Sequence, residues 1–264
     1  MKKHTADSMT DKPASNISLR PKVIYSMGGK GGVGKTTFMV GMAEYFASAE
    51  PPVPCTLLDL DTENKGKGAL MHFFPNNCRK VDITKNEGLD VFINETENSL
   101  LTLADMGAGS GYIATKWFLD LYPILSDRID FIAVGVVTSD PASVDSVLTW
   151  AAQLEHRVQY LIVKNQQTDD TSFLYWDSSL QANEFRCRHA KRIREITLEW
   201  RIPKMQDAVR NHGATLGSII NKERPDVAEL TTPARLARAS VYRTNQFQRL
   251  DTVRDMLLPE PVTI

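Results

Sequence analysis

Gly29-Lys30-Gly31-Gly32-Val33-Gly34-Lys35-Thr36 is the stretch on which the reading of this 264-residue chain turns. The spacing G-x-x-x-x-G-K-T arranges backbone N–H groups around an anion. Lys35 reaches the β and γ oxygens of a nucleoside triphosphate and the Thr36 hydroxyl faces Mg²⁺. Glycines are required because the backbone has to approach the phosphates closely and adopt positive φ. A helix beginning near Lys35 adds the positive end of its dipole to the same place.

Working outward, Val23-Ile24-Tyr25-Ser26-Met27 precedes the loop and reads as a short buried strand, and residues 35–48 follow with helical apolar spacing. Pro51-Pro52-Val53-Pro54 ends that helix. Cys55-Thr56-Leu57-Leu58-Asp59-Leu60-Asp61 and Leu100-Leu101-Thr102-Leu103-Ala104-Asp105 are then apolar runs closed by acids. Further strands are expected over 129–137 and 160–163, and helices over 117–125 and 142–154. After Asn165 a polar insert, 166–183, carries Phe173, Tyr175 and Trp176. Residues 184–199 read as a basic helix, Ile202-Pro203 as the close of a last short strand, and 207–212 and 233–257 as helices. Apolar strands alternating with helices predict a three-layer α/β fold, a mostly parallel twisted sheet with helices on both faces. Ligands bind such sheets at the carboxyl ends of the strands, where the acids lie.

Lys30 after the first glycine extends the loop to K-G-G-V-G-K-T-T, ending at Thr37. This form resembles the deviant phosphate loop of the ParA/MinD family of P-loop ATPases, and the order of motifs carries the resemblance over residues 22–220. The resemblance implies ATP and Mg²⁺ as cofactors, slow hydrolysis, and a homodimer formed on ATP binding in which Lys30 reaches the partner's phosphates. Its charge would act on the transferred group like a finger supplied in trans. Asp59-Leu60-Asp61 is similar to the D-x-D that opens the family's first switch, so Asp61 would orient the attacking water and Asp59 would support the Mg²⁺ shell. Asp105 stands where the family's Walker B acid holds Mg²⁺ together with Thr36. Asn165 would lie against the adenine edge, and Ile202-Pro203 with Val209 and Gly213 resembles the segment that covers the base, which makes Pro203 a base contact.

The chain departs from that pattern in two places. The D-x-D continues as Thr62-Glu63-Asn64-Lys65-Gly66 where partition proteins have P-Q-x-N, and Met106-Gly107-Ala108-Gly109 replaces the usual proline after the Walker B acid. Similarly divergent switch segments occur in plasmid maintenance and conjugation proteins. The expected service is therefore plasmid or chromosome partition, or plasmid maintenance, with a centromere-binding adaptor stimulating hydrolysis. The alternative is a nucleotide-dependent regulatory module of a secretion, conjugation or polysaccharide-synthesis machine that does not touch DNA.

Composition, 42% hydrophobic and 24% charged, is that of a globular domain, here expected over 22–258 with an unstructured tail over 1–21. No apolar run approaches the ~20 residues of a membrane span. The two prolines and Glu260 near the C-terminus argue against a membrane-bound basic helix, so a cytoplasmic protein without membrane contact is expected. Cys55, Cys78 and Cys187 have no paired spacing, which disfavours an iron–sulfur or zinc site. Residues 1–185 carry 16 Lys+Arg against 23 Asp+Glu, whereas residues 186–264 carry 15 against 9. Within the basic part, Arg186, Arg188, Lys191, Arg192 and Arg194 form the densest cluster and are the candidate contacts for nonspecific DNA.

Overall fold

A seven-stranded, wholly parallel sheet forms the centre of the computed structural model, which describes residues 17–62, 66–108, 111–169, 171–199 and 201–263. In chain order the strands are β1 (Ile17–Leu19), β2 (Lys22–Met27), β3 (Thr56–Asp59), β4 (Cys78–Lys80), β5 (Leu101–Asp105), β6 (Asp130–Val137), β7 (Gln159–Asn165), β8 (Ile193–Leu198) and β9 (Pro261–Thr263). The helices are α1 (Lys35–Ala47), α2 (Leu70–Phe73), α3 (Asn86–Glu97), α4 (Gly111–Leu125), α5 (Pro141–Leu154), α6 (Leu174–Ser178), α7 (Leu180–Arg188), α8 (Pro203–His212), α9 (Leu216–Ile220), α10 (Pro233–Asp251) and α11 (Arg254–Leu257). The main sheet runs β4-β3-β5-β2-β6-β7-β8, and β1 pairs with β9 in a separate antiparallel ribbon.

The central strands are continuous apolar runs because both of their faces are covered. Side chains alternate across β2: Val23, Tyr25 and Met27 enter one core with Phe92 of α3, Phe118 of α4 and Trp150 of α5, while Ile24 enters the other with Phe38 and Met42 of α1 and Leu250 of α10. This is the expected three-layer α/β arrangement. α5 starts where its residues dictate, with Pro141 in the first turn and the Asp140 carboxylate accepting from Ala142 N at 2.9 Å.

In the 166–183 insert Trp176 is fully buried and Phe173 nearly so, and both pack with Phe185 against the same sheet face as α5. Three expectations are corrected. The basic stretch 184–199 is not one helix, because α7 ends at Arg188 and Ile193–Leu198 pairs in parallel with β7. β-branched Ile193, Ile196 and Thr197 suit an edge strand, and burial of Ile196 and Leu198 outweighs the charge pattern that looked helical. Pro203 does not close a strand but opens α8, where its missing N–H costs nothing. The helix expected over 233–257 stops at Asp251 and restarts as α11.

The chain ends also differ from expectation. Residues 1–16 of the expected tail lie outside the described residues, but Ile17–Leu19 form a strand whose register places Ile17 opposite Thr263 and Leu19 opposite Pro261. Lys22, fully buried at the start of β2, donates to Met256 O at 2.7 Å and faces Glu260 at 3.6 Å. Burial lowers its pKa and Glu260 opposes that. This anchorage lies at the amino ends of the strands, away from the phosphate loop. Among the described residues no helix is long and apolar enough to cross a membrane.

Candidate functional site

The loop leaves β2 at Met27 and enters α1 at Lys35, so its amides converge on the helix N-terminus at the carboxyl edge of the sheet. Gly32 (φ +76°) and Gly34 (φ +103°) occupy the left-handed region that side chains disfavour. Gly34 has a second reason to lack a side chain, since a Cβ there would lie 2.6 Å from Asn165 Nδ2. The loop is held from two sides. Ser146 Oγ on α5 accepts from Lys30 N at 3.1 Å and from Gly29 N. From the end of β7, Asn165 Nδ2 donates to Val33 O at 2.8 Å and Gln167 Nε2 to Gly32 O at 3.2 Å.

Lys35 is 8% exposed and folds back over the loop, donating to Lys30 O at 2.9 Å. Burial lowers its pKa, with Asp105 and Asp61 opposing. Lys30 behaves differently: its side chain is 43% exposed and pairs with Asp140, the N-cap of α5, at 3.1 Å.

The acids are ordered by strand register. Lys80 on β4 lies opposite Asp59 on β3, and Asp59 lies opposite Asp105 on β5. On β2, Ser26 Oγ donates to Asp105 Oδ1 at 2.8 Å. Asp105 is 1% exposed, and burial, with the charge of Asp59, pushes its carboxyl up to about 6 against hydrogen bonds from Thr36 and Ser26 and the attraction of Lys35. Asp59 is fully buried; Oδ1 accepts from Lys80 Nζ and Asp61 N, each at 3.1 Å, and Oδ2 from Met71 N at 3.1 Å. Asp61, two residues further, reaches the open cleft. Its carboxylate packs on Gly107, where any Cβ would fall on Asp61 Oδ1. That contact gives a steric reason for a glycine at this position.

Gly31 to Thr37, Asp61, Asn165 and Pro203 line one cleft of about 540 Å³, within the range of small-molecule sites. Asp59 and Asp105, both buried beneath it, are not among the lining residues, and neither are Gly29 and Lys30.

No family model matches the chain, and no curated protein sequence matches it. Among solved structures the chain is similar to FlhF complexed with GTP/Mg(2+), at 12% identity over 70% of this chain and 69% of that one, with a TM-score of 0.42. It is also similar to FlhF complexed with GMPPNP/Mg(2+), at 11% identity over 71% and 69%, with a TM-score of 0.41. The fold is that of a P-loop nucleoside triphosphatase. The parallel sheet with the loop between β2 and α1 is sufficient to say so.

Sequence reasoning missed several residues of this P-loop cleft. Lys67 reaches it from the segment before α2, Gln167 from the segment after β7, Arg201 from the segment after β8, and Gln206, Asp207 and Arg210 from α8. Only the α8 residues left a signal, namely their helical spacing after Pro203. Residues 63–65 of the divergent switch, and Gly109, lie outside the described residues. The basic cluster sits at the far side of the sheet, around the turn into β8. Arg188, Lys191, Arg192 and Arg194 are exposed. Arg186 is turned inward, donating to Asp177 O at 2.9 Å and lying 5.5 Å over the Trp176 ring.

Thr36 and Asp105 together offer a hydroxyl and a carboxylate, hard oxygen donors of the kind Mg²⁺ takes with water completing its shell. The burial of Asp105 has a measurable consequence. A carboxyl whose folded pKa is raised from 3.8 to about 6 destabilises the fold once it ionises; the effect is absent below pH ~4 and complete above pH ~6. Asp105→Asn is therefore expected to stabilise the nucleotide-free protein by about 1–3 kcal/mol at pH 7. The gain should shrink at pH 5, where the wild-type acid is already largely protonated. Thermal unfolding at the two pH values checks this, and an equal gain at both would refute it.

Proposed function

We propose that this protein is an ATPase switch of the ParA/MinD kind, in which ATP and Mg²⁺ assemble a homodimer and slow hydrolysis takes it apart. The observation that carries this reading is the placement of Lys30. It belongs to the phosphate loop, yet its ammonium stays half exposed, outside the cleft that the loop lines, on the carboxylate of Asp140. A lysine held there is available to a second subunit's phosphates and remote from its own.

In this reading the loop amides and Lys35 bind the β and γ phosphates, and Asn165, Pro203, Gln206 and Arg210 surround the base end. Thr36 and Asp105 hold Mg²⁺, with Asp59 supporting Asp105 from the adjacent strand. The metal would supply charge neutralisation on the phosphates. Asp61, at the cleft edge, orients the attacking water. The dimer acts in plasmid or chromosome partition or plasmid maintenance, in the cytoplasm, through DNA bound at Arg188, Lys191, Arg192 and Arg194 and through a centromere-binding adaptor.

Lys30→Ala is expected to bind ATP within about threefold of wild type but to lose ATP-dependent dimers. Light scattering with a non-hydrolysable analogue measures it, and normal dimerisation of the variant would defeat the sandwich model. The inward turn of Arg186 favours a second reading, a regulatory module for a secretion, conjugation or polysaccharide-synthesis machine without DNA contact. A gel shift with nonspecific duplex separates the two: ATP-dependent, salt-sensitive retention supports the first, and no retention supports the second.

A further inference from the structure

We infer that Lys80 is a positioning residue for hydrolysis, holding the peptide of Asp61 so that its carboxylate keeps one direction at the cleft edge. The inference rests on the proposed role of Asp61 as the acid that orients water.

Both backbone polar atoms of Asp61 are tied. Its N–H donates to Asp59 Oδ1 at 3.1 Å, and its carbonyl accepts from the Lys80 ammonium, which also donates to Asp59 Oδ1 at 3.1 Å. Its carboxylate lies against Gly107, and the residue before it is fixed by Leu60 N donating to Asp105 O at 2.8 Å. Lys80 thus closes a three-point clamp made of one carboxylate, one carbonyl and one ammonium. The clamp depends on register: β4 pairs in parallel with β3 so that Lys80 stands opposite Asp59, and Val81 N continues the ladder by donating to Asp59 O at 2.9 Å. Lys80 does not line the cleft, so any effect it has on bound nucleotide passes through the groups it holds, the Asp61 peptide and the Asp59 carboxylate. Asp59 is fully buried beside the equally hidden Asp105, and Lys80 is the ammonium that meets it. A buried carboxylate needs such a partner. A single lysine on a three-residue edge strand therefore neutralises the inner acid and aims the outer one.

The test compares Lys80→Met, Lys80→Arg, Asp61→Ala and the Lys80→Met/Asp61→Ala double variant in the full chain. For each, Mg²⁺-dependent turnover is measured beside the Kd of a fluorescent ATP analogue. Lys80→Met is expected to lose about tenfold or more in kcat, the scale of a misdirected catalytic group, with Kd changed less than threefold. Lys80→Arg should recover most of the loss, and the double variant should be no slower than Asp61→Ala. Since Lys80→Met leaves Asp59 without its ion partner, Lys80→Gln, which keeps an N–H donor but no charge, is measured beside it; circular dichroism confirms the fold of each variant, and folded Lys80→Gln should lose less kcat than Lys80→Met. If Asp61→Ala is slow while the Lys80 variants turn over normally, the positioning role is overturned and the Asp61 reading stands. A double variant slower than Asp61→Ala alone also overturns it, because Lys80 would then act by another route. Normal turnover by Asp61→Ala defeats the Asp61 reading itself, and this inference with it.

Discussion

Lys35→Ala is expected to reduce nucleotide affinity by about 100-fold or more and to abolish turnover. Lys35 is 8% exposed at the start of α1 and its ammonium already makes a 2.9 Å bond across the loop to Lys30 O, so it is preorganised over the place the loop amides address. Truncating one partner of a largely buried, hydrogen-bonded charge pair costs on the order of 2–5 kcal/mol, which is roughly 30-fold to several thousand-fold in Kd. Folding should be preserved, because burial already disfavours this ammonium in the unliganded state and its removal relieves that cost. Isothermal titration with ATP and Mg²⁺ measures the loss. Retention of wild-type affinity would mean that this cleft is not the phosphate site.

Gly107→Ala is expected to lower kcat by about 100-fold with little change in nucleotide affinity. Gly107 is not at positive φ, so alanine suits its backbone conformation; the obstacle is Asp61, whose carboxylate the new Cβ would strike and whose Cα would lie 3.2 Å away. Asp61 must move, and displacement of a reacting group by about 1 Å costs on the order of 10²-fold. Gly107 itself does not line the cleft, whereas Gly31 to Thr37 do, so the expected change falls on the rate more than on the ground-state phosphate contacts. Steady-state turnover combined with direct binding separates the two quantities. A variant that turns over normally would show that Asp61 does not orient the water. Loss of affinity and rate together would instead indicate that the cleft had distorted.

The two predictions differ in where their evidence comes from. Lys35 was legible as a candidate phosphate ligand from G-x-x-x-x-G-K-T because the loop is a local device, with every residue of the cradle within eight positions and the strand and helix flanking it in sequence. Gly107 was legible only as a departure from a family pattern. Its meaning depends on Asp61, 46 positions earlier, being brought against it by the pairing of β3 with β5. Asn165 shows a third case: the resemblance put it against the adenine edge, and in the structure it lines the cleft with its amide donating to Val33 O of the loop. Its proximity to the site was legible, while its hydrogen-bond partner was not.

The misreading of the 184–199 stretch has a physical cause. Its density of charge pointed to a basic helix. Long-range burial decided otherwise, laying Ile193–Leu198 along β7. Local preferences are worth tenths of a kcal/mol per residue, whereas burying one large side chain contributes about 1.5–3 kcal/mol.

The sequence by itself determined the phosphate loop, the apolar strands that make the sheet parallel and doubly covered, and the acids at the strand ends, because each is a property of neighbouring residues. Only the tertiary structure decided how those acids divide their work. Register across β4, β3, β5 and β2 sets Lys80, Asp59, Asp105 and Ser26 side by side, buries the inner carboxylates and leaves Asp61 at the cleft, and α5 brings Ser146 and Asp140 to the two sides of Lys30. Those contacts join residues separated by up to 116 positions, and strand register together with the packing of α5 on the sheet, both long-range, places them.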